Sequence, residues 1–242
     1  MEYALDKSGN RVSAIHADNK QQYYCPVCNG QVIVKNQGKI KSSHFAHRDS
    51  YTCTDTWHYD MSEWHMNMQS YFDEQYREVV CTANGKTHRA DILRDGVVIE
   101  LQHSAISAEE YCDRNEFYHT LGYKVVWVFD VSEEFHNGTL YYEDTNDGRN
   151  QMRWKYPKQV LQLSPSISDY DKEFALFFWI DEENTDDGCY LDKVIWSTKD
   201  PYGEYDLKRV IVSDESYEIV KNMNPNDLFR SKKTFFMRIW KA

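Results

Sequence analysis

The sequence predicts a mixed α/β protein in which a mixed sheet is flanked by helices. Two observations lead to this prediction. Between residues 60 and 130 the patterns follow the order helix, three strands, helix, strand, and residues 124–130 form a nearly unbroken apolar run, which is typical of a strand buried on both faces. A helix that connects two strands usually joins a parallel pair, whereas the strands before it are joined by tight turns. The sheet should therefore contain both parallel and antiparallel pairs.

Composition places the chain among globular proteins. Hydrophobic residues make up 41% of the 242 residues, which is enough for a substantial core. No apolar run approaches the roughly 20 residues that a membrane helix needs, and the first residues lack the pattern of a signal peptide. We therefore expect a cytoplasmic protein without a membrane partner. The net charge of −11 argues against indiscriminate binding of nucleic acid.

The N-terminal segment carries two closely spaced pairs of metal-ligand residues. Cys25 and Cys28 have C-x2-C spacing, and His44 and His47 have H-x2-H spacing, with a predicted hairpin between the pairs. Thiolate and imidazole groups are the usual ligands of a structural, tetrahedral Zn²⁺. Residues 1–58 are thus predicted to form a small β module that resembles a zinc ribbon. Cys53 is an alternative ligand, and buried thiols with unrelated histidines are the alternative to any metal site.

The central segment, residues 59–160, places carboxylates on a predicted hairpin. A helical pattern over residues 60–77 has Glu63 in its first turn, and the hairpin over residues 87–102 turns at Asp95-Gly96. Asp91 lies in its first strand. Glu100 and Gln102 lie two apart in its second strand and therefore share a face. Buried carboxylates cost several kcal/mol unless they are paired or bind a metal, so the cluster suggests a divalent-cation site.

The elements after the hairpin complete this segment, and a third segment follows. A capping-box pattern at residues 107–110 begins a helix that ends at Gly122. Residues 161–242 are predicted to form a mixed extension of unassigned role. Strands are expected near residues 174–180, 191–198 and 207–212, a helix near 216–223, and a final aromatic element at 232–240. This region can complete the sheet, bind nucleic acid or form an oligomer interface.

The motif order resembles the CoiA-like competence nuclease family of the PD-(D/E)XK nuclease superfamily. The resemblance extends over about residues 1–160 and implies a restriction-endonuclease-like core. The residues that carry it are Cys25, Cys28, His44-Phe45-Ala46-His47, Ser62-Glu63-Trp64-His65, His88-Arg89-Ala90-Asp91-Ile92, Val98-Ile99-Glu100-Leu101-Gln102-His103-Ser104, Ile106-Ser107, Arg114, Tyr118 and Val126-Trp127-Val128.

The resemblance implies a metal-dependent endonuclease or exonuclease that acts on DNA. The expected substrate is single-stranded or processed foreign DNA, handled in uptake and recombination or in antiviral defence, and the expected cofactors are catalytic Mg²⁺ or Mn²⁺ and structural Zn²⁺. The implied catalytic residues are Asp91, Glu100, Gln102 and Glu63; the implied Mg²⁺ ligands are Asp91, Glu100 and the Leu101 carbonyl; the implied phosphate contacts are Arg89, Arg114 and Ser104. None of His58, His65 and His103 is predicted as a metal ligand. A second copy of the chain or a protein partner would offset the acidic charge.

Each implied role has an alternative. Asp91 and Glu100 can form salt bridges with Arg89 and Arg114 without any metal, and Gln102, where the superfamily more often has lysine, can be a buried amide that caps a loop. Glu63 can simply complement the helix dipole. The competing functions are a non-catalytic nucleic-acid-binding module with the same fold and a hydrolase of another phosphate ester.

Overall fold

The computed structural model describes residues 1–35, 43–48, 53–55, 57, 62–144, 150–155, 174–181, 189–199 and 205–211. The chain divides into a first unit, Met1–Leu93, and a second unit, Arg94–Ala242. The predicted helix at residues 216–223 and the predicted element at 232–240 lie outside the described residues.

The first unit begins with a five-stranded antiparallel sheet in the order β2-β1-β3-β4-β5. Its strands are β1 (Tyr3–Leu5), β2 (Arg11–Ser13), β3 (Tyr23–Tyr24), β4 (Gln31–Lys35) and β5 (His44–His47). Tyr23, Val32 and Phe45 are buried in its core. Because the strands are only two to five residues long, this core is small, and a bound metal would add stability that the apolar contacts cannot supply.

Helix α1 (Glu63–Ser70) follows and is shorter than predicted. The Ser62 Oγ accepts a hydrogen bond from the His65 N–H at 3.1 Å and caps the helix. The predicted continuation to residue 77 is wrong because the Arg77 guanidinium donates to the Ser70 and Phe72 carbonyls, at 3.0 and 2.6 Å. These carbonyls therefore gain a partner without a further helical turn.

Two strands complete the first unit. After a short 3-10 turn (Glu74–Tyr76), β6 (Arg77–Ala83) and β7 (Lys86–Arg94) pair antiparallel. The turn between them, Asn84-Gly85, has positive φ at both residues, as a type I′ turn requires. The predicted turn at Asp95-Gly96 has the same backbone, with φ values of 51° and 77°.

The second unit contains the predicted parallel pair. β8 (Val97–Gln102) is buried at all six positions, and β9 (Lys124–Asp130) pairs parallel with it. Between them lies α2 (Ala108–Thr120), which Ser107 caps as predicted, since its Oγ accepts from the Glu110 N–H at 3.1 Å. Gly122 follows the helix with a φ of 78° and ends it in a Schellman motif.

Later strands extend this sheet. The remaining elements are α3 (Ser132–His136), β10 (Leu140–Asp144), β11 (Asn150–Trp154), β12 (Phe174–Asp181), β13 (Cys189–Lys199) and β14 (Tyr205–Ile211). Within the second unit the strand order is β10-β11-β14-β13-β12-β9-β8, with β12 parallel to β9 and the later pairs antiparallel. The predicted α/β class with a mixed sheet is confirmed. Within the described residues, no helix is both long and apolar enough to cross a membrane.

Candidate functional site

Four potential metal ligands come together in the first unit: Cys25, Cys28, His47 and Cys53. Their ligand atoms all lie within 4.8 Å of one another. Cys25 Sγ is 3.9 Å from Cys53 Sγ, and Cys28 Sγ is 3.3 Å from His47 Nε2. Two sulfurs of a tetrahedral zinc site lie about 3.8 Å apart when each Zn–S bond is about 2.3 Å. The cluster therefore has the spacing and the chemistry to bind zinc.

A tight turn brings the first two sulfurs of this cluster together. The Asn29 N–H donates to the Cys25 carbonyl at 2.9 Å, and the Cys25 N–H donates to the Gly30 carbonyl at 2.8 Å. Asn29 has a φ of 56°, a conformation that asparagine adopts more readily than most residues. The Gly30 N–H donates to Cys28 Sγ at 3.4 Å. Such a contact stabilises a thiolate, the form that binds metal.

The cluster contains one histidine instead of the predicted pair. His44 and His47 both lie in β5, and side chains three positions apart in a strand point to opposite faces. His47 belongs to the cluster, whereas His44 is not among its four members. Cys53, the alternative ligand considered from the sequence, occupies the fourth position. The structure therefore brings together three of the four predicted ligands, Cys25, Cys28 and His47, with Cys53 in place of His44.

Burial favours the protonated form of two thiols of this cluster, Cys25 and Cys53. Burial raises the pKa of the Cys25 thiol, and it raises the pKa of the Cys53 thiol to about 12. Zinc binds the thiolate form, so binding would release these protons and make the metal affinity depend on pH.

Asp91 on β7 lies against one face of α1. The His65 Nε2 is 3.2 Å from Asp91 Oδ1, and the Gln69 Nε2 donates to the Asp91 carbonyl at 3.0 Å. His65 and Gln69 are both buried, and they share a helix face because they are four residues apart. Neither residue is predicted from the sequence as a ligand, although their spacing of four residues indicates a shared helix face. Glu63, a predicted catalytic residue, is an exposed residue of the first turn.

Arg89, a predicted phosphate contact, pairs with a buried carboxylate in the same unit. Its Nε lies 3.9 Å from Glu78 Oε1. Glu78 also accepts hydrogen bonds from the Glu2 and Tyr3 N–H groups, at 2.9 and 3.1 Å. Burial alone would raise the pKa of Glu78, but Arg89 and these N–H donors outweigh it and lower the pKa below its usual value. Glu78 is therefore held as a carboxylate and links β6 to β1.

Glu100 on β8 forms a buried ion pair within the second unit. The Arg114 Nη1 donates to Glu100 Oε2 at 2.6 Å, and the Arg114 Nη2 donates to Glu110 Oε1 at 2.5 Å. Glu100 is 1% exposed and Arg114 is 3% exposed. The structure therefore contains the salt bridge between Glu100 and Arg114 that the sequence offers as an alternative to metal binding. In this pair, Arg114 compensates the charge of the carboxylate.

Gln102, Ser104 and Leu101 lie at the end of the same strand. The Gln102 Nε2 donates to the Ser104 carbonyl at 2.7 Å and contacts the Ser104 Oγ at 3.2 Å. Gln102 Oε1 is buried and has no hydrogen-bond partner among the described residues. Leu101, between Glu100 and Gln102, is also buried. The amide thus holds the chain beyond the strand and keeps one acceptor atom available.

Two family matches cover most of the chain. Residues 7–55 match the family described as Competence protein CoiA, N-terminal domain, and residues 66–178 match the family described as Competence protein CoiA, nuclease-like domain. The first range contains the whole cysteine–histidine cluster, and the second contains Asp91, Glu100 and Gln102. No curated protein and no solved structure matches the chain significantly.

Proposed function

Because the chain belongs to the CoiA-like competence protein family and carries its nuclease-like domain, we propose that it is a metal-dependent deoxyribonuclease. It hydrolyses phosphodiester bonds in single-stranded or processed DNA. Its biological role is the processing of foreign DNA, either during uptake and recombination or in defence.

One observation carries this proposal: Asp91 and Glu100 both fall within the nuclease-like match, and neither is an ordinary surface acid. The side chain of Asp91 is only 14% exposed, and Glu100 is 1% exposed in a strand of otherwise apolar residues and Gln102. A buried carboxylate lowers stability unless it is compensated. Such groups concentrate at functional sites, which supports a catalytic role.

In this proposal Asp91 and Glu100 bind Mg²⁺ or Mn²⁺, together with the Leu101 carbonyl. When bound, the cation supplies an activated water and offsets negative charge on the phosphate. The chain's own contribution is positioning. Gln102 is held at its Nε2 by Ser104, which leaves its Oε1 to accept a hydrogen bond from the attacking water.

Cationic and polar groups complete the proposed site. Arg114 positions Glu100 through the buried ion pair. We assign phosphate contacts to Arg89, Arg114 and Ser104, and we assign a second cation or a bound water to the exposed Glu63. Zinc in the cysteine–histidine cluster has a structural role. The net charge of −11 requires either a local basic surface or a partner, such as a second copy of this chain, to bring DNA to the site.

Cleavage of single-stranded and plasmid DNA with Mg²⁺ or Mn²⁺ tests the proposal. Asp91→Asn and Glu100→Gln should each reduce the rate by at least about 100-fold, because metal ligation supplies several kcal/mol to catalysis. Asp113→Asn and Glu116→Gln alter exposed carboxylates of α2 and serve as matched controls that should cut like the wild type. Wild-type protein that cuts neither substrate with either metal, or site variants that cut normally, would refute the nuclease function.

The ion pair between Glu100 and Arg114 favours a second candidate function, a non-catalytic nucleic-acid-binding module. In that case the carboxylate serves the fold, because Arg114 already compensates its charge. The same variants decide between the two. A binding module would retain single-stranded DNA on a filter in the presence of Mg²⁺ without shortening it, and Asp91→Asn would not change retention.

A further inference from the structure

Strands β3, β4 and β5 have an outer face with the composition of a surface that binds single-stranded nucleic acid. Their inner face carries Tyr23, Val32 and Phe45, which are buried in the core. Because side chains alternate along a strand, the sequence neighbours of these residues lie on the opposite, outer face. We propose that this outer face binds single-stranded DNA. The choice of DNA rests on the proposed function, whereas the binding of a single strand does not.

The register of the strands arranges the side chains of the outer face in three rows. Tyr24 pairs with Gln31, and the Arg48 N–H donates to the Gln31 carbonyl at 3.1 Å, so these three residues form the first row. Successive rows are two residues, and hence about 6.6 Å, apart along the strands. The second row is Ile33 with Ala46, and the third row is Lys35 with His44.

The charge of the outer face is opposite to that of the whole chain. Lys35 and Arg48 are exposed. They belong to the first and the third row, which lie about 13 Å apart along the strands. The three rows, all of whose residues the structure describes, contain no aspartate or glutamate. A cationic face on a protein with a net charge of −11 is complementary to phosphate groups and provides a local surface to which a nucleic acid is drawn.

Tyr24 gives the outer face a preference for unpaired bases. Its side chain is half-buried, and its hydroxyl donates to Gln22 Oε1 at 3.4 Å. A base can stack on an aromatic ring once it is outside a duplex, and sheets with aromatic residues on their surface bind single-stranded RNA in this way. The partly exposed Ile33 and Ala46 provide apolar surface between the two cationic rows. The face therefore combines phosphate contacts with a stacking surface.

Two further groups of the outer face support this use. The Arg48 Nη1 donates to Gln31 Oε1 at 3.2 Å, which orients the guanidinium, and its other N–H groups are suited to a phosphate. His44 lies on this face, because it is three positions from His47, which faces the cysteine–histidine cluster. Imidazole rings also stack on bases. Binding of a single strand thus gives His44 a role outside the metal cluster.

Fluorescence anisotropy of a labelled oligothymidine tests the proposal on the full-length, zinc-loaded protein without added Mg²⁺ or Mn²⁺. The double variant Lys35→Gln/Arg48→Gln should weaken binding at least about tenfold at low salt. It should also reduce the slope of log affinity against log salt by about 1.4, because each phosphate contact to a single strand contributes about 0.7. Tyr24→Leu should weaken binding at least about fivefold and leave this slope unchanged, because stacking involves no counterion.

A matched double variant separates the outer face from general charge. Lys7→Gln/Lys86→Gln removes two exposed lysines beside hairpin turns of the first unit and should bind the oligonucleotide like the wild type. If Lys35→Gln/Arg48→Gln binds as tightly as this control, with equal zinc content, the outer face is not the binding surface. A duplex that binds as tightly as the single strand, together with an unchanged affinity in Tyr24→Leu, would overturn the preference for single strands.

The cleavage panel separates this inference from the proposed function. Loss of oligonucleotide binding in Lys35→Gln/Arg48→Gln, for a protein whose wild type cuts no DNA, supports the binding face and refutes the nuclease. Cleavage that depends on Asp91, with oligonucleotide binding unchanged in the double variant, supports the nuclease and overturns the binding face.

Discussion

The polar interiors of the two units are built from different chemistry. In the first unit, Asp91 contacts the buried His65 imidazole and the buried Gln69 amide. Around Glu100, in the second unit, the buried neighbour is the Arg114 guanidinium at 2.6 Å. The cysteine–histidine cluster, which also lies in the first unit, likewise consists of titratable groups without a permanent charge, three thiols and an imidazole.

This difference determines what each unit loses when a polar partner is removed. Unlike the Arg114 guanidinium, the His65 imidazole and the Gln69 amide carry no permanent positive charge. A buried carboxylate beside arginine is already compensated, and removing either member leaves an uncompensated buried charge. We therefore expect the first unit to lose most stability when zinc is absent and the second unit to lose most when a side-chain partner is removed.

Loss of zinc should have the largest effect. Cys53→Ser removes one of the four clustered ligands, so we expect zinc content to fall from about one per chain to near zero, with a lower melting temperature. Elemental analysis measures this. His44→Asn should retain zinc, because His44 is outside the cluster, and Cys81→Ser, at another buried thiol of the same unit, is the matched control. Loss of zinc in His44→Asn with retention in Cys53→Ser would restore the ligand set predicted from the sequence.

Removal of the carboxylate from the second unit's ion pair should have the next largest effect. Glu100→Ala leaves Arg114 buried with only the partly exposed Glu110 and should lower the free energy of unfolding by about 3–5 kcal/mol. Asp91→Ala loses the contact with the His65 imidazole and should cost about 1 kcal/mol. Unfolding in urea measures both. Equal losses for the two variants would contradict the distinction between the units.

Local patterns predicted the strands and helix caps around the site. The apolar run at residues 124–130 became a buried strand, and Ser107 and Gly122 bound α2 as their positions indicated. These features depend on residues close in sequence, whose preferences act without knowledge of the rest of the chain. The length of α1 was not predictable in this way, because it is ended by the Arg77 side chain seven residues beyond Ser70.

The partners of the site residues depend on contacts distant in sequence. Asp91 meets His65 across 26 positions, and Cys25 meets Cys53 across 28. No periodicity encodes such a pairing. Side chains alternate between the two faces of a strand, so His44 and His47 on β5 cannot both face one metal ion. This local signal can be used only once residues 44–47 are known to form a strand. The residue types in the sequence thus predicted that a cluster of metal ligands exists. They did not predict which four residues belong to it.

Glu78 limits the comparison, because it forms a charged interaction in the first unit. Arg89 and the Glu2 and Tyr3 N–H groups lower its pKa, so its stabilising effect is complete above the unfolded carboxyl pKa of about 4.3 and is lost as pH falls through the lower folded value. Glu78→Gln should therefore cost about 2 kcal/mol at pH 7, and the difference from the wild type should shrink below about pH 4. Urea unfolding at pH 7 and pH 3 measures this, with the exposed Glu74→Gln as control. A difference that stays constant between the two pH values would show that the charge of Glu78 does not stabilise the fold.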